Sequence, residues 1–384
     1  MGRMAERSPG RLDFIEGMRG LAALYVVFQH IASFVDPQRR LQWSNAEPSL
    51  LGTLTAPLWF GHLAVAAFIV ISGYCLQLAQ FNRAKGKLDS YGKYMKRRAR
   101  RILPPYYACL ALSLVVALFV TSRQEGLPWE QYLPVTTEST LAHVFLVHNW
   151  QPEWMYKING VLWSIAIEFQ LYFLFPLIVA LIWRAGRVPT LVLAVVAAGA
   201  LLAFVPNGLK LYFWFLGLFA MGAVAAHYAL TREPSEGQKR GMGVLALLGF
   251  VATAALTYWT NDPTNADVFG GAGWVVAVRD TAVGVAVALF LIFGTWRPEA
   301  PTSRALGWRP IFTLGVFSYS LYLMHHPIMQ VLVAYRPEFV EGQNRLFVYL
   351  LAVLPIVIGA CYLFFWLFER PFLKRPEPKT AGAP

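Results

Sequence analysis

Charge is scarce in this sequence. Only 14% of its 384 residues are Asp, Glu, Lys or Arg, against about a quarter in an ordinary soluble domain. A deficit of that size excludes a water-facing surface over most of the chain. Cysteine is scarcer still. Cys75, Cys109 and Cys361 are the three present; each lies in an apolar run, far from the others and without CxxC spacing. That excludes a disulfide framework and a cysteine-based metal site, and no metal is expected. Internal repeats, heptads and low-complexity tracts are missing. The first apolar stretch has no A-x-A cleavage site behind it, so it reads as a retained helix rather than a removed leader.

What is abundant is apolar surface: 57% of residues are hydrophobic, and mean hydropathy is +0.48. A membrane-crossing helix needs about 20 mostly apolar residues. Such stretches recur near 14–35, 57–80, 102–121, 161–183, 188–206, 211–230, 242–260, 274–295, 311–335 and 346–368. The fold class is therefore an all-α integral membrane protein, a bundle of about ten transmembrane helices. It divides into a basic cytoplasmic segment at 1–12, a membrane domain at 13–369 and a disordered cytoplasmic tail at 370–384. No soluble domain is expected before or after the membrane core.

The net charge of +12 could signal nucleic acid, but its placement argues for a bilayer. With the N-terminus inside, 24 Lys and Arg fall in inside segments and seven in outside ones, which is the positive-inside pattern. Both termini are then cytoplasmic, in the inner (cytoplasmic) membrane, and nucleic acid is not a partner. The longest external segment, 121–160, carries Trp129, His148, Trp150 and Trp154. It is long enough to fold over an opening, or its aromatics can serve as interfacial anchors.

Ionisable groups inside membrane spans are costly and mark functional sites by default. Arg19 and His30 lie eleven residues apart in the first span. That is three turns plus about 20°, so they share a face at an axial separation of roughly 16 Å. Glu16 can pair with Arg19 at i,i+3. Glu168 in the fourth span and His325 in the ninth are expected at the depth of His30, giving one shared polar site. His325 and His326 are 100° apart on a helix, so one should be buried and the other peripheral, with His325 as the candidate. Arg279-Asp280 reads as a local structural pair, and His62 lies near the outer start of the second span.

Nine basic residues run from Arg83 to Arg101 before the third span. Topology and anionic-lipid contact explain such a stretch; bidentate phosphate binding by arginine does so too.

Taken in order, six segments resemble the acyltransferase 3 family of membrane acyltransferases: Arg19-x10-His30, Phe68-Ile-Val-Ile-Ser72-Gly73-Tyr74, Arg98-x-x-Arg101-Ile-Leu-Pro-Pro-Tyr106, Asn159-Gly-Val-Leu-Trp163-Ser164 through Glu168 to Phe175-Pro176, Ser318-Tyr-Ser-Leu-Tyr322-Leu-Met-His325, and Glu369-Arg-Pro371. The resemblance implies an O-acyltransferase that moves an acyl group, commonly acetyl, from acyl-coenzyme A to a hydroxyl of a carbohydrate, glycolipid or related product. Acyl-CoA is then a donor substrate, and no permanently bound cofactor is implied. The resemblance also carries Arg19, His30, Arg98 and Arg101 over as functional positions. Many relatives have a C-terminal hydrolase-like domain, which is not expected here.

On this reading Arg98 and Arg101 hold the donor's phosphates, Arg19 steers the donor, and His30 is the general base. Glu168 orients the imidazole, as a carboxylate does in hydrolytic triads. A covalent acyl-histidine is a second route. Tyr322, Trp163 and Ser164 are further candidates on the substrate side. The competing class is a transporter or lipid/glycan flippase, which would also use intramembrane charges.

Overall fold

The computed structural model describes residues 12–38, 55–88, 90–261, 265, 268 and 272–373. The basic N-terminal segment through Arg11, the loop residues Arg39 and Arg40, and the tail from Lys374 lie outside the described residues. Among those described there are helices and turns and no strand.

The helices of six or more residues are α1 (Asp13–Val35), α2 (His62–Ala84), α3 (Tyr91–Phe119), α4 (Thr137–Val144), α5 (Leu162–Arg184), α6 (Arg187–Phe204), α7 (Phe215–Thr231), α8 (Glu236–Trp259), α9 (Ala272–Trp296), α10 (Pro301–Leu306), α11 (Arg309–Val316), α12 (Ser318–Ala334) and α13 (Gln343–Phe364). Eight helices among the described residues are long and apolar enough to cross a membrane. The chain is a multi-pass membrane protein.

Three of the ten expected spans come out differently. The sixth, α7, is only 17 residues long. The ninth is broken at Phe317 into α11 and α12, because a helix start there is stabilised from outside. Glu369, buried near the end of the chain, accepts the Ser320 N–H at 3.1 Å and the Ser320 hydroxyl at 2.5 Å. A carboxylate on the first-turn amides satisfies donors that a helix start leaves open, and it complements the helix dipole. The third span also starts earlier than expected. Lys93 to Arg101 are helical residues of α3 rather than a loop before it, in keeping with the helix propensity of Lys, Arg, Met and Ala.

α1 sits centrally, packed against α2, α11 and α12. α2 pairs closely with α7 through facing glycines. A Cβ on Gly73 would lie 2.1 Å from the Phe219 carbonyl oxygen, and one on Gly222 would lie 2.0 Å from that of Val70. Only glycine allows the two backbones to approach this far. α6 and α8 hold most of their side chains on the outside, as lipid-facing helices do.

Prolines inside α5 and α12 shape the region around the site. Pro176 has no N–H for the Tyr172 carbonyl four residues back, and Pro327 has none for that of Leu323. Inside a bilayer such a freed carbonyl must find another donor. The Tyr94 hydroxyl donates to Tyr172 O at 3.2 Å. For Leu323 O, the donors are Asn159 Nδ2 at 3.2 Å and the Cys109 thiol at 3.3 Å. These bonds tie α3, α5 and α12 together at the level of the candidate residues.

Candidate active site

His30 on α1 and His325 on α12 meet. His325 Nδ1 lies 2.9 Å from the Leu321 carbonyl, which can only accept, so Nδ1 carries the proton and Nε2 has the lone pair. His30 Nδ1 is 3.1 Å from that Nε2 and 3.0 Å from the Val26 carbonyl. Both contacts are acceptors, so the network assigns the Nδ1–H tautomer to His30 as well. The Nε2 lone pair of His30 is then left for the cavity that this residue lines. A neutral imidazole held in this way is arranged as a proton acceptor.

His326 corrects one expectation. It is not peripheral: both His325 and His326 are fully buried, and both rings lie 5.0 Å from that of His30. A ring at a helix crossing can touch two consecutive residues of the other helix, so the 100° separation did not decide the matter. His326 Nε2 is 2.9 Å from the Tyr132 hydroxyl, which comes from the 121–160 segment. Leu127, Pro128, Gln131 and Tyr156 of that segment line the same cavity, so the segment does fold over the opening.

The segment is itself built locally. Thr136 and Ser139 form a reciprocal capping box at the start of α4. The hydroxyls of Tyr106 and Tyr107 on α3 donate to the carbonyls of His143 and Val144 at 2.8 and 2.9 Å. Inside it, the rings of His143 and His148 stack 3.7 Å apart. Burial lowers His143 to about 4 and takes His148 well below the usual imidazole range, where the neighbouring His143 also contributes.

The cavity at the His30 end measures about 480 Å³ and also carries His62, Trp163, Tyr212, Arg279, Asp280 and Tyr322. The His62 and Trp163 rings stack at 5.7 Å, and Trp163 stacks on Tyr212 at 4.4 Å. Arg279 and Asp280 are not the self-contained pair expected. The Asp280 carboxylate meets His62 Nε2 at 3.0 Å and accepts from Trp214 Nε1 at 3.0 Å. Arg279 donates to the Thr260 hydroxyl at 2.7 Å and the Thr257 carbonyl at 3.3 Å.

A second cavity, about 210 Å³, lies at the Arg19 end. Arg19 from α1 and Arg98 and Arg101 from α3 line it, together with Glu16, Ser72, Glu168, Tyr172 and Tyr319. Arg98 and Arg101 share a helix face by their spacing of three, which puts both at this cavity. Arg19 donates to Glu16 at 3.1 Å.

Glu168 departs from expectation here. It lines this cavity and not that of His30, and it accepts the Tyr172 hydroxyl at 2.6 Å. The position beside the His30 imidazole is filled by His325. Depth along a helix was the basis for pairing Glu168 with His30, but depth leaves open which neighbour a side chain turns toward.

The two cavities share Val65 and Tyr322 in their walls. Tyr322 is held there by a 2.7 Å bond between its hydroxyl and that of Ser164, with Phe68 edge-on to its ring at 5.9 Å. Ser164 and Tyr322 thus stand at the boundary, and Trp163 stands beside it in the His30 cavity. Among the described residues, no group of three or more His, Cys, Asp or Glu could hold a metal ion.

A helical membrane bundle with basic residues at one cavity and imidazoles at the next suits one class, membrane-embedded group transfer. The comparisons with known proteins agree with that class. The acyltransferase domain family, acyltransferase 3, matches residues 12–366, and the chain belongs to it. The O-acetyltransferase OatA of Staphylococcus aureus strain NCTC 8325 / PS 47 is 24% identical over 398 aligned residues, covering 96% of this chain and 58% of that protein. OatA of strain COL gives the same values. The chain therefore spans a little over half the length of these curated relatives. No solved structure matches.

Asn159, His326, Glu369 and Asp280 play parts that their sequence positions alone did not assign. For Asn159 a signal was present: Pro327 in an apolar helix demands an outside donor for Leu323. The other three depend on contacts across 49 or more residues of chain.

Proposed function

We propose that the protein is a membrane O-acyltransferase that moves an acyl group, acetyl in the first instance, from acyl-CoA to a hydroxyl of a carbohydrate or glycolipid. The observation that carries the reading is the pair of adjoining cavities, arginine-lined on one side of Tyr322 and imidazole-lined on the other. The positive-inside distribution of Lys and Arg supports an orientation with the Arg19 end cytoplasmic, both termini inside and about ten spans in the inner membrane.

Arg98, Arg101 and Arg19 bind the phosphates of the donor by charge-assisted hydrogen bonds. Three guanidiniums against Glu16 and Glu168 leave the cavity electropositive before a donor enters. The acyl-bearing arm runs past Tyr322 toward His30, a span of roughly 16 Å by helical rise. His30 Nε2 takes the proton of the acceptor hydroxyl as its oxygen attacks the thioester carbonyl. The C–S bond breaks, the proton passes to the departing thiolate, and the products are the ester and free coenzyme A. His325 positions the imidazole and shares the charge it gains. No permanently bound cofactor is needed for these steps.

The test is purified protein in lipid with acetyl-CoA and a panel of sugars and glycolipids, scored for free thiol. Acceptor-dependent thiol release and ester formation are expected. Release that ignores the acceptor, or movement of a glycan across the bilayer without acylation, would overturn the reading.

A further inference from the structure

A third cavity, about 1020 Å³ and almost wholly apolar, lies between α1, α2, α8 and α9 and takes no part in the chemistry above. It joins the His30 cavity: Phe60, Leu63 and Asn261 line both. It also opens sideways, since Leu21 and Tyr258 in its walls are 40% and 65% exposed. Along α8 its walls run from Phe250 to Tyr258, about 12 Å by helical rise, a large part of one leaflet of a hydrocarbon core about 30 Å thick. These walls belong to membrane-crossing helices, so hydrocarbon reaches the opening directly.

Where the apolar and polar cavities join stands Arg279. Its guanidinium is anchored by Thr260 and by the carbonyl of Thr257, and Thr257 also lines the apolar cavity. The adjacent carboxylate, Asp280, is engaged by His62 and Trp214. A guanidinium at membrane depth between an apolar groove and a polar pocket is matched by an anionic group joining a hydrocarbon tail to a polar head.

We infer that the acceptor is lipid-anchored, a phosphate-linked, hydroxyl-bearing head group on a long hydrocarbon chain. Its tail lies in the groove beside Ala22, Ala67 and Ala254, its phosphate meets Arg279, and its hydroxyl head enters the His30 cavity. The role given to the head group rests on the transferase reading, whereas the seats of tail and phosphate do not.

The test separates the two. The full-length chain in phosphatidylcholine nanodiscs is photolabelled with a diazirine-bearing hexadecyl phosphate, with the matching hexadecanol and with diazirine phosphatidylcholine. Labelled peptides are mapped by mass spectrometry. Saturable labelling of α1, α8 and α9 by the phosphate is expected, at an apparent affinity at least about tenfold above that of the alcohol, as a charge-assisted bond provides.

Arg279→Ala should abolish the preference for phosphate. Ala254→Trp, at an exposed groove position, should cut the labelling, whereas Ala252→Trp, exposed on the opposite side of α8, should not. Equal labelling by all three probes means bulk bilayer lipid and overturns the inference, as does labelling elsewhere. In a parallel assay, glucosyl phosphates with methyl, octyl and hexadecyl tails serve as acceptors. Specific labelling without thiol release from any acceptor sinks the transferase reading and leaves the groove standing. Thiol release at the same KM for every tail length overturns the groove.

Discussion

The two cavities on either side of Tyr322 share walls from α1, α2, α5 and α12, with α3 added on the Arg19 side and α9 on the His30 side, and they differ in kind. The Arg19 cavity is ionic: three guanidiniums and two carboxylates gather in about 210 Å³. The His30 cavity is larger and mostly neutral, with stacked rings and imidazoles whose protons are held by backbone carbonyls. Fixed charges bind a charged donor but make poor proton acceptors, whereas a neutral imidazole accepts protons and binds anions weakly. On the proposed assignment, one bundle separates holding the donor from reacting with it by about three turns of α1.

The strongest way to break that contrast is at the base. His30→Ala is expected to lower acceptor-dependent thiol release by about 10²- to 10⁴-fold, the usual worth of a general base, with the donor's Kd unchanged. An acetylation rate near that of the parent protein would remove His30 from the mechanism.

Next come the arginines. Arg98→Ala or Arg101→Ala should raise the KM for acetyl-CoA by ~10- to 100-fold, given about 1.5–3 kcal/mol for a charged hydrogen bond, and leave kcat much less affected. Glu168→Gln sharpens the comparison: on the present assignment it alters donor affinity and leaves the pH profile of transfer in place. A shifted profile would return Glu168 to the His30 side.

A smaller effect is expected where the two sides are held together. Asn159→Ala strips a donor from the Leu323 carbonyl, which Pro327 already leaves without its helical partner. The loss should be about 1–3 kcal/mol, read as a lower Tm in detergent, with the KM for donor near that of the parent.

The smallest effect concerns the cover over the His30 cavity. His143 and His148 are buried neutral, with folded values below the unfolded 6.5. The unfolded segment therefore binds protons more readily. The stability of the cover should be complete above pH 6.5 and fall as pH drops toward the His143 value of about 4. Hydrogen exchange across 121–160 between pH 7 and pH 4.5 would register it. Unchanged protection would mean the two rings do not govern the cover.

Much of this was legible before folding. Arg98 and Arg101 were assigned to the donor's phosphates and Arg19 to steering the donor, and the three share a cavity; helical spacing alone puts Arg98 and Arg101 on one face. His30 and His325 were expected together and meet at 3.1 Å. Glu168 was expected there and is not. Periodicity specifies a face and a depth, and several helices pass at any given depth. His326 was set aside on a wheel argument that treats its helix in isolation, although α1 crosses it.

Sequence by itself determined the membrane class, the approximate spans and the identity of the costly charges, because burial of apolar segments and the expense of intramembrane ions are local properties. Tertiary structure alone decided that the arginines and the imidazole occupy separate cavities with Tyr322 between them. It also decided that His325 rather than Glu168 holds His30, and that an apolar groove meets the His30 cavity at Arg279. Those outcomes depend on which helices cross and how closely. In this chain that is governed by glycines such as Gly73 and Gly222 and by carbonyls that prolines release, contacts that no single segment contains.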